Sequence, residues 1–356
     1  MRNSNALQIY SIYWNKEIPV DRRSFITKSS AAASMLSLGV GIPKFAHAAE
    51  FTYRLSHSVP VNHPLHIRAE EAAKKIKEET NGRFELLVFP SDQLGAQTDV
   101  MSQTRSGAID FFCLSGVVLS TLVPSSAISG LGFAFKDYDA VWKAMDGGLG
   151  EFIRSEIAKS RSLFAFEKIW DNGYRQITSA ARPVVSPNDI AGMKVRVPPS
   201  PMWISLFKAL GGSPTTITAN ELYSSLQTRI VDAQENPLAV ISTLKLYEVQ
   251  KYCTMTNHMW DGFWLLANKR NFDALPEDIQ ATVQKHLNAG AMAERSDLVE
   301  LNTSLRQQLT DKGMTFAEAN VAEYQAKLRD AGFYDEWRKK FPAAGWEQLE
   351  SITGKL

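Results

Sequence analysis

Two cysteines in 356 residues, Cys113 and Cys253, are too few for a disulfide framework or a zinc-ribbon ligand set. In an oxidising compartment the two could pair. Cys113, however, lies in the apolar run Phe111-Phe112-Cys113-Leu114 and reads as a small core residue. The chain also lacks G-x-S-x-G, H-E-x-x-H, a phosphate-cradling G-x-x-x-x-G-K-[ST] and C-x-x-C, so no common nucleophile, zinc-protease, nucleotide or dithiol chemistry is written in it. Gly147-Gly148-Leu149-Gly150 does not have the spacing of a dinucleotide fingerprint and reads as a helix-ending turn. His57, His63 and His66 are the nearest approach to a metal cluster; capping and polar lining explain them, so neither metal nor cofactor is expected. No apolar run reaches the ~20 residues needed to span a bilayer.

A marked excess of basic or acidic residues is missing as well. The first 48 residues hold six of the 39 Lys and Arg and two of the 38 Asp and Glu, which leaves 33 basic and 36 acidic side chains beyond them, net −3. A nearly neutral body argues against nucleic acid or an anionic membrane as principal partner. The start of the chain carries a pattern of its own. Asp21-Arg22-Arg23-Ser24-Phe25 is a twin-arginine signature, followed by an apolar stretch over 31–42 and by Ala46-His47-Ala48. That order predicts an export signal over residues 1–48, removed outside the bacterial cytoplasm by cleavage near Ala49.

The remaining residues are enough for a large core and two lobes. Hydrophobic patterning predicts a strand over 53–58, a helix over 64–80 opened by Pro64, a strand over 84–89, a helix over 97–106 and a strand over 108–114. That alternation is the rhythm of an α/β lobe. A helix is expected over 137–159 and one strand over 163–170. Strands follow over 176–180 and 194–197, then a helix over 201–210, a turn at Gly211-Gly212-Ser213-Pro214, a short helix over 221–227 and a buried edge over 231–234. From Pro276 to Gly313, apolar residues at three- or four-residue spacing predict one very long helix, interrupted only by Gly290.

Within this frame Arg175 and Arg196 each sit in a short β-type run, in Asn172-Gly173-Tyr174-Arg175-Gln176 and Lys194-Val195-Arg196-Val197-Pro198. A guanidinium held on a strand grips a planar carboxylate through two parallel hydrogen bonds. These two segments join Pro90-Ser91-Asp92-Gln93-Leu94-Gly95, Ser106-Gly107-Ala108-Ile109-Asp110, Leu226-Gln227-Thr228, Gln234-Glu235-Asn236-Pro237, Tyr247-Glu248-Val249-Gln250-Lys251 and Thr256-Asn257-His258. In that order and spacing, over essentially all of residues 50–350, the chain resembles the substrate-binding proteins of tripartite ATP-independent periplasmic (TRAP) transporters, the C4-dicarboxylate and sialic-acid receptor type.

The resemblance implies an α/β periplasmic binding-protein fold of two lobes with a long helix spanning both. Lobe I is expected over 49–172 plus about 262–301, and lobe II over 173–261 plus about 302–356. It also implies a non-enzymatic periplasmic receptor that closes on an organic acid and delivers it to a TRAP membrane permease. On that reading Arg196 pairs with the ligand carboxylate, Arg175 supports it, Asn236 hydrogen-bonds the ligand, and Ser58 and Ser115 stand at variable pocket positions. His57, Trp170 and Trp260 are further candidates, the tryptophans as apolar walls at the lobe crossings; Trp203 and Trp264 read as core. Ser115 stands where the sialic-acid receptors place a glutamate and Ala219 replaces an aromatic residue, which argues against sialic acid. The expected ligand is a monocarboxylate with an apolar part rather than a sugar acid. An exported enzyme acting on an organic acid, or a sensory binding protein for a membrane signalling partner, would use the same cleft.

Overall fold

The computed structural model of the protein describes residues 48–356. The expected export signal, apart from its last residue, lies outside them. The strands among the described residues are β1 (Phe51–His57), β2 (Phe84–Phe89), β3 (Phe111–Ser115), β4 (Leu163–Ala165), β5 (Trp170–Tyr174) and β6 (Gln176–Ser179). They continue with β7 (Lys194–Val197), β8 (Ser213–Thr216), β9 (Ala233–Asn236), β10 (Tyr252–Met255), β11 (Trp260–Asn268) and β12 (Thr315–Glu318). Two six-stranded sheets result. The first runs β2-β1-β3-β11-β4, with β5 also paired to β11; the second runs β12-β10-β6-β9-β7-β8.

Local chemistry sets these elements. The helix Pro64–Glu79 opens with proline at its first position while His63 Nδ1 accepts the Leu65 N–H, and the Thr80 hydroxyl donates to Ile76 O at the other end. One face of the helix, Leu65, Ala69, Ala72, Ala73 and Ile76, is buried against the first sheet. β1 is parallel to β2 and β3, and β11 returns antiparallel to β3 over Phe263–Ser115 to Ala267–Phe111.

Three expected elements differ. The helix over 137–159 is two, Tyr138–Met145 and Gly148–Ala158. A Cβ on Gly150 would lie 1.9 Å from Met145 O, so the chain turns at Asp146-Gly147 and needs glycine to pack the second helix back. The strand over 163–170 divides into β4 and β5, both paired with β11. Ser213 and Pro214 are not turn residues. They begin β8, the edge strand parallel to β7, where a proline without an N–H is tolerated.

The helix Glu277–Asp311 runs 35 residues without interruption, about 52 Å at 1.5 Å per residue. Ile279, Val283, Leu287 and Ala291 pack with Leu55, Phe111 and Phe263 on the first-sheet side. Leu298, Leu305 and Leu309 pack with Leu222, Leu226 and Cys253 on the second-sheet side. The changeover is secured by polar contacts. Glu294 Oε2 accepts the Asp171 N–H at 2.9 Å, Arg295 donates to Ile169 O and to Asp146, and the Arg295 guanidinium lies 3.9 Å from the Trp142 ring centroid. The chain ends in the helix Ala343–Thr353, which packs against Tyr138–Met145 and Gly148–Ala158. No helix among the described residues is long and apolar enough to cross a membrane.

Gly290 lies in the middle of the long helix because Trp170 needs the space. A Cβ there would come within 3.0 Å of the indole. Gly290→Val is therefore expected to lower stability by about 1–3 kcal/mol through overpacking, despite replacing a poor helix former. Urea unfolding checks this; a variant as stable as wild type would show that the indole moves freely.

Candidate functional site

β7 is read by alternation: Val195 and Val197 enter the core, and Arg196 takes the opposite face between Thr215 of β8 and Gln234 of β9. Arg175 falls between β5 and β6, its N–H held by Met259 O at 2.9 Å. Gly173 just before it has φ +113°, and a Cβ would press on Pro237 and the Tyr138 hydroxyl, both at 3.3 Å. Asn236 ends β9 opposite Gln176. Together these segments place Arg175, Arg196 and Asn236 on one cavity with Ser58, Ser115, Asn172 and Gln97. Val59, Val118, Leu222, Val240 and Phe263 supply its apolar wall; the space, counting its open mouth, is about 490 Å³.

The two arginines are in different electrostatic states. Arg175, 3% exposed, is bound through Nε and Nη2 to the two carboxylate oxygens of Glu235, with Nη2 also donating to Glu235 O at 2.8 Å and Asn236 Oδ1 at 3.1 Å. Its Nη1 lies 3.7 Å from Asp261 Oδ2. Burial alone would push the Glu235 carboxyl up; Arg175 and the 3.3 Å contact with His258 Nε2 outweigh it and hold the group down at about 2. Burial lowers the pKa of the His258 imidazole below its ordinary value, against the pull of Glu235.

Arg196, also 3% exposed, donates from Nε to Ile217 O at 2.8 Å. No acidic side chain among the described residues reaches ion-pairing distance of it. Burial brings its guanidinium down to about 10, opposed by Glu235 and Asp92 and reinforced by Arg175. At neutral pH it remains a cation. A buried guanidinium with no partnered carboxylate is electrostatically costly, and this one stands on a cavity wall.

Five of the expected residues, Arg196, Arg175, Asn236, Ser115 and Ser58, line this cavity. Three do not. His57 is buried beneath it, its Nε2 3.1 Å from His66 Nδ1, and burial holds it neutral with a pKa lowered to about 3. Trp170 packs against Gly290 in the apolar cluster of the first sheet. Trp260 donates its indole N–H to Asp171 Oδ1 at 2.8 Å and meets Trp142 edge-on. The indoles fill the crossings between segments and leave none of their faces on the cavity. Trp203 and Trp264 are core, as expected. Both cysteines are free.

Sequence reasoning passed over Asn172 and Gln97 on the wall and Glu235 and Asp261 behind it. Asp261 Oδ2 accepts from the Ser115 hydroxyl and from Asn172 Nδ2. The signal for both acids was a charged residue inside a strand that is otherwise wholly buried, Ala233–Asn236 and Trp260–Asn268.

Two mixed sheets joined by one long helix, with a cavity between residues drawn from both, define an α/β ligand-binding protein. A family model described as bacterial extracellular solute-binding protein, family 7, matches residues 55–339. The chain belongs to that family. It is 32% identical to the C4-dicarboxylate-binding periplasmic protein DctP of Rhodobacter capsulatus, over 91% of this chain and 96% of that one. The crystal structure of a TRAP periplasmic solute-binding protein from Sulfurospirillum deleyianum with bound succinate superposes with a TM-score of 0.80 at 27% identity, covering 86% of this chain and 99% of that one. One from Roseobacter denitrificans with bound L-galactonate gives 0.78 at 31%, covering 83% and 99%. This is a family of periplasmic receptors, not of enzymes.

Breaking the Arg175–Glu235 pair leaves an uncompensated buried cation, so Glu235→Gln is expected to cost about 3–5 kcal/mol at pH 7. The folded pKa of Glu235, about 2, lies below its ordinary 4.5. The stabilisation is therefore complete above about pH 4.5 and fades as pH falls toward 2. Thermal unfolding should show a constant gap between wild type and variant from pH 5 to 8, closing below pH 4.5. A gap that widens on acidification contradicts this account.

Proposed function

We propose that this protein is the extracytoplasmic receptor of a TRAP transporter, taking one organic acid by its carboxylate onto Arg196. The observation that carries this reading is the contrast between the two guanidinia: Arg175 is neutralised by Glu235, while Arg196 has only a backbone carbonyl. Arg175 and Asn236, on the same cavity, flank the anion. Val59, Val118, Leu222, Val240 and Phe263 suit an apolar stretch of the same ligand.

In this reading residues 49–172 with about 262–301, which bring β11 and the first part of the long helix, form one lobe, and residues 173–261 with about 302–356, which bring β12, form the other. The terminal helix Ala343–Thr353 returns to the first. Ligand carboxylate entering between the lobes neutralises Arg196 and stabilises their closed arrangement. The partner that accepts the ligand is a TRAP membrane permease, reached through a transient polar contact. Export by the twin-arginine route follows from the Arg22-Arg23 signature. Succinate and L-galactonate, bound by relatives, share the carboxylate this site requires.

Removing one member of a buried charged pair costs about 2–5 kcal/mol, or roughly 30- to several thousand-fold in affinity. A thermal-shift screen of organic acids identifies the ligand by its rise in Tm through mass action. Calorimetry on Arg196→Ala should then show affinity lost by at least about 30-fold with the fold retained. Binding within threefold of wild type refutes the assignment.

A further inference from the structure

A row of buried polar side chains leads away from the cavity through the second sheet. Arg175 Nη2 donates to Asn236 Oδ1 at 3.1 Å, Asn236 Nδ2 to Gln234 Oε1 at 2.5 Å, and Gln234 Nε2 to the Thr178 hydroxyl at 2.7 Å. Thr178 donates in turn to Gln250 Oε1 at 3.1 Å, and Gln250 Nε2 to Val249 O at 3.1 Å. Gln234, Thr178 and Gln250 are at most 1% exposed, and the cavity lining stops at Asn236. The strands set the row: Thr178 on β6 pairs directly with Gln234 on β9, and Asn236 lies two residues further along the same face.

All five bonds run in one direction, because both ends are fixed. A guanidinium only donates and a backbone carbonyl only accepts. Reversing any amide between them would set donor against donor or acceptor against acceptor. Asn236 therefore turns Oδ1 to Arg175 and its N–H₂ to Gln234. Each bond polarises and strengthens the next, so the row holds its far end firmly. Apolar side chains could fill the same sheet face at little cost in stability. Gln250 also belongs to Tyr247-Glu248-Val249-Gln250-Lys251, a segment with no residue on the cavity.

Building on the carboxylate-receptor reading, we propose that Thr178, Gln234 and Gln250 are positioning residues for ligand binding. They form a relay that holds the Asn236 amide, and the Arg175 guanidinium bound to it, in the arrangement an incoming acid requires. None of the three touches the acid. Removing the Thr178 hydroxyl cuts the relay: Gln234 Nε2 loses its acceptor, its side chain re-seats, and Asn236 is no longer held from behind. Removing the anchor at Gln250 frees the Thr178 proton to turn toward Gln234, which undoes the single polarity.

The test is calorimetry on wild type, Thr178→Val, Thr178→Ser, Gln250→Leu and Ile177→Val, with thermal unfolding of each. The probe is whichever of butyrate, succinate, L-galactonate and glucuronate raises the wild-type Tm most. Thr178→Val keeps the shape and loses the hydroxyl, so the acid should bind at least about tenfold more weakly. Thr178→Ser keeps the hydroxyl and should stay within about threefold of wild type, while Gln250→Leu should weaken binding by about threefold or more. Ile177→Val trims the opposite, core-facing side of β6 and is the control: Tm falls and affinity stays within about twofold. A merely structural row lowers Tm in Thr178→Val and Gln250→Leu but leaves their affinity at the wild-type value. That result overturns the proposal, as does equal weakening by Thr178→Ser. Should Thr178→Val fail to fold, Gln250→Leu decides. If an acid binds and these affinities do not move, only this inference fails; if none of the four binds, the receptor reading fails with it.

Discussion

Everything at the cavity depends on the ion pair between Arg175 and Glu235. Two arginines and two acids, Glu235 and Asp261, are buried in one region, and their formal charges cancel in number. Geometry distributes that cancellation unevenly. The fork of Arg175 closes on both oxygens of Glu235, His258 braces the same carboxylate, and Asp261 takes Ser115 and Asn172. What remains without a counter-charge is Arg196. Were Glu235 to swing to Arg196 instead, the cavity would hold its own anion and have no electrostatic use for another. On the proposed reading the internal salt bridge leaves Arg196, not Arg175, as the guanidinium that an incoming anion can neutralise.

That distribution is only as firm as the strands that hold it. Arg196 is fixed by parallel pairing of β7 with β8 and β9, and Glu235 and Asn236 by antiparallel pairing of β9 with β6. Asn172 and Asp261 lie on β5 and β11, which pair through an irregularity between Asp261 and Gly262. The irregularity re-aims Asp261 toward Ser115 and Asn172 in a strand where every neighbour is buried. Behind both sheets the long helix holds a common reference, with its apolar stripe shared between the two sides and Glu294 and Arg295 fastened to backbone groups at the changeover.

Much of this was legible in the sequence, for identifiable reasons. The long helix, the opening strand-helix-strand units and the burial of Trp203 and Trp264 follow from periodicity, proline placement and apolar density. Arg196 and Asn236 stand in short motifs whose residue types have few purposes on a buried strand. His57, Trp170 and Trp260 show the limit of that reasoning. Their proximity to the crossings was readable, but the direction of an indole or imidazole depends on which notch lies opposite. For Trp170 the notch is Gly290, more than a hundred residues away; for Trp260 it is the Asp171 carboxylate. Asp261 escaped notice because it stands behind the wall, accepting from Ser115 and Asn172, and an acid that contacts only its neighbours leaves no motif. The division of 137–159 into two helices was hidden for a similar reason: it turns on a backbone clash at Gly150 that periodicity does not register.

The two free thiols have a consequence for the protein's life outside the cytoplasm. Cys113 is packed with the first-sheet cluster and Cys253 with the second-sheet cluster, and burial pushes both thiols up, the latter to about 12. Neither is ionised at neutral pH nor open to an oxidant, so the finished molecule is chemically inert to a disulfide-forming milieu. The unfolded chain has no such shelter, since both sulfurs would then be exposed at ordinary acidity. A polypeptide of this design is safest when it meets oxidising surroundings already folded.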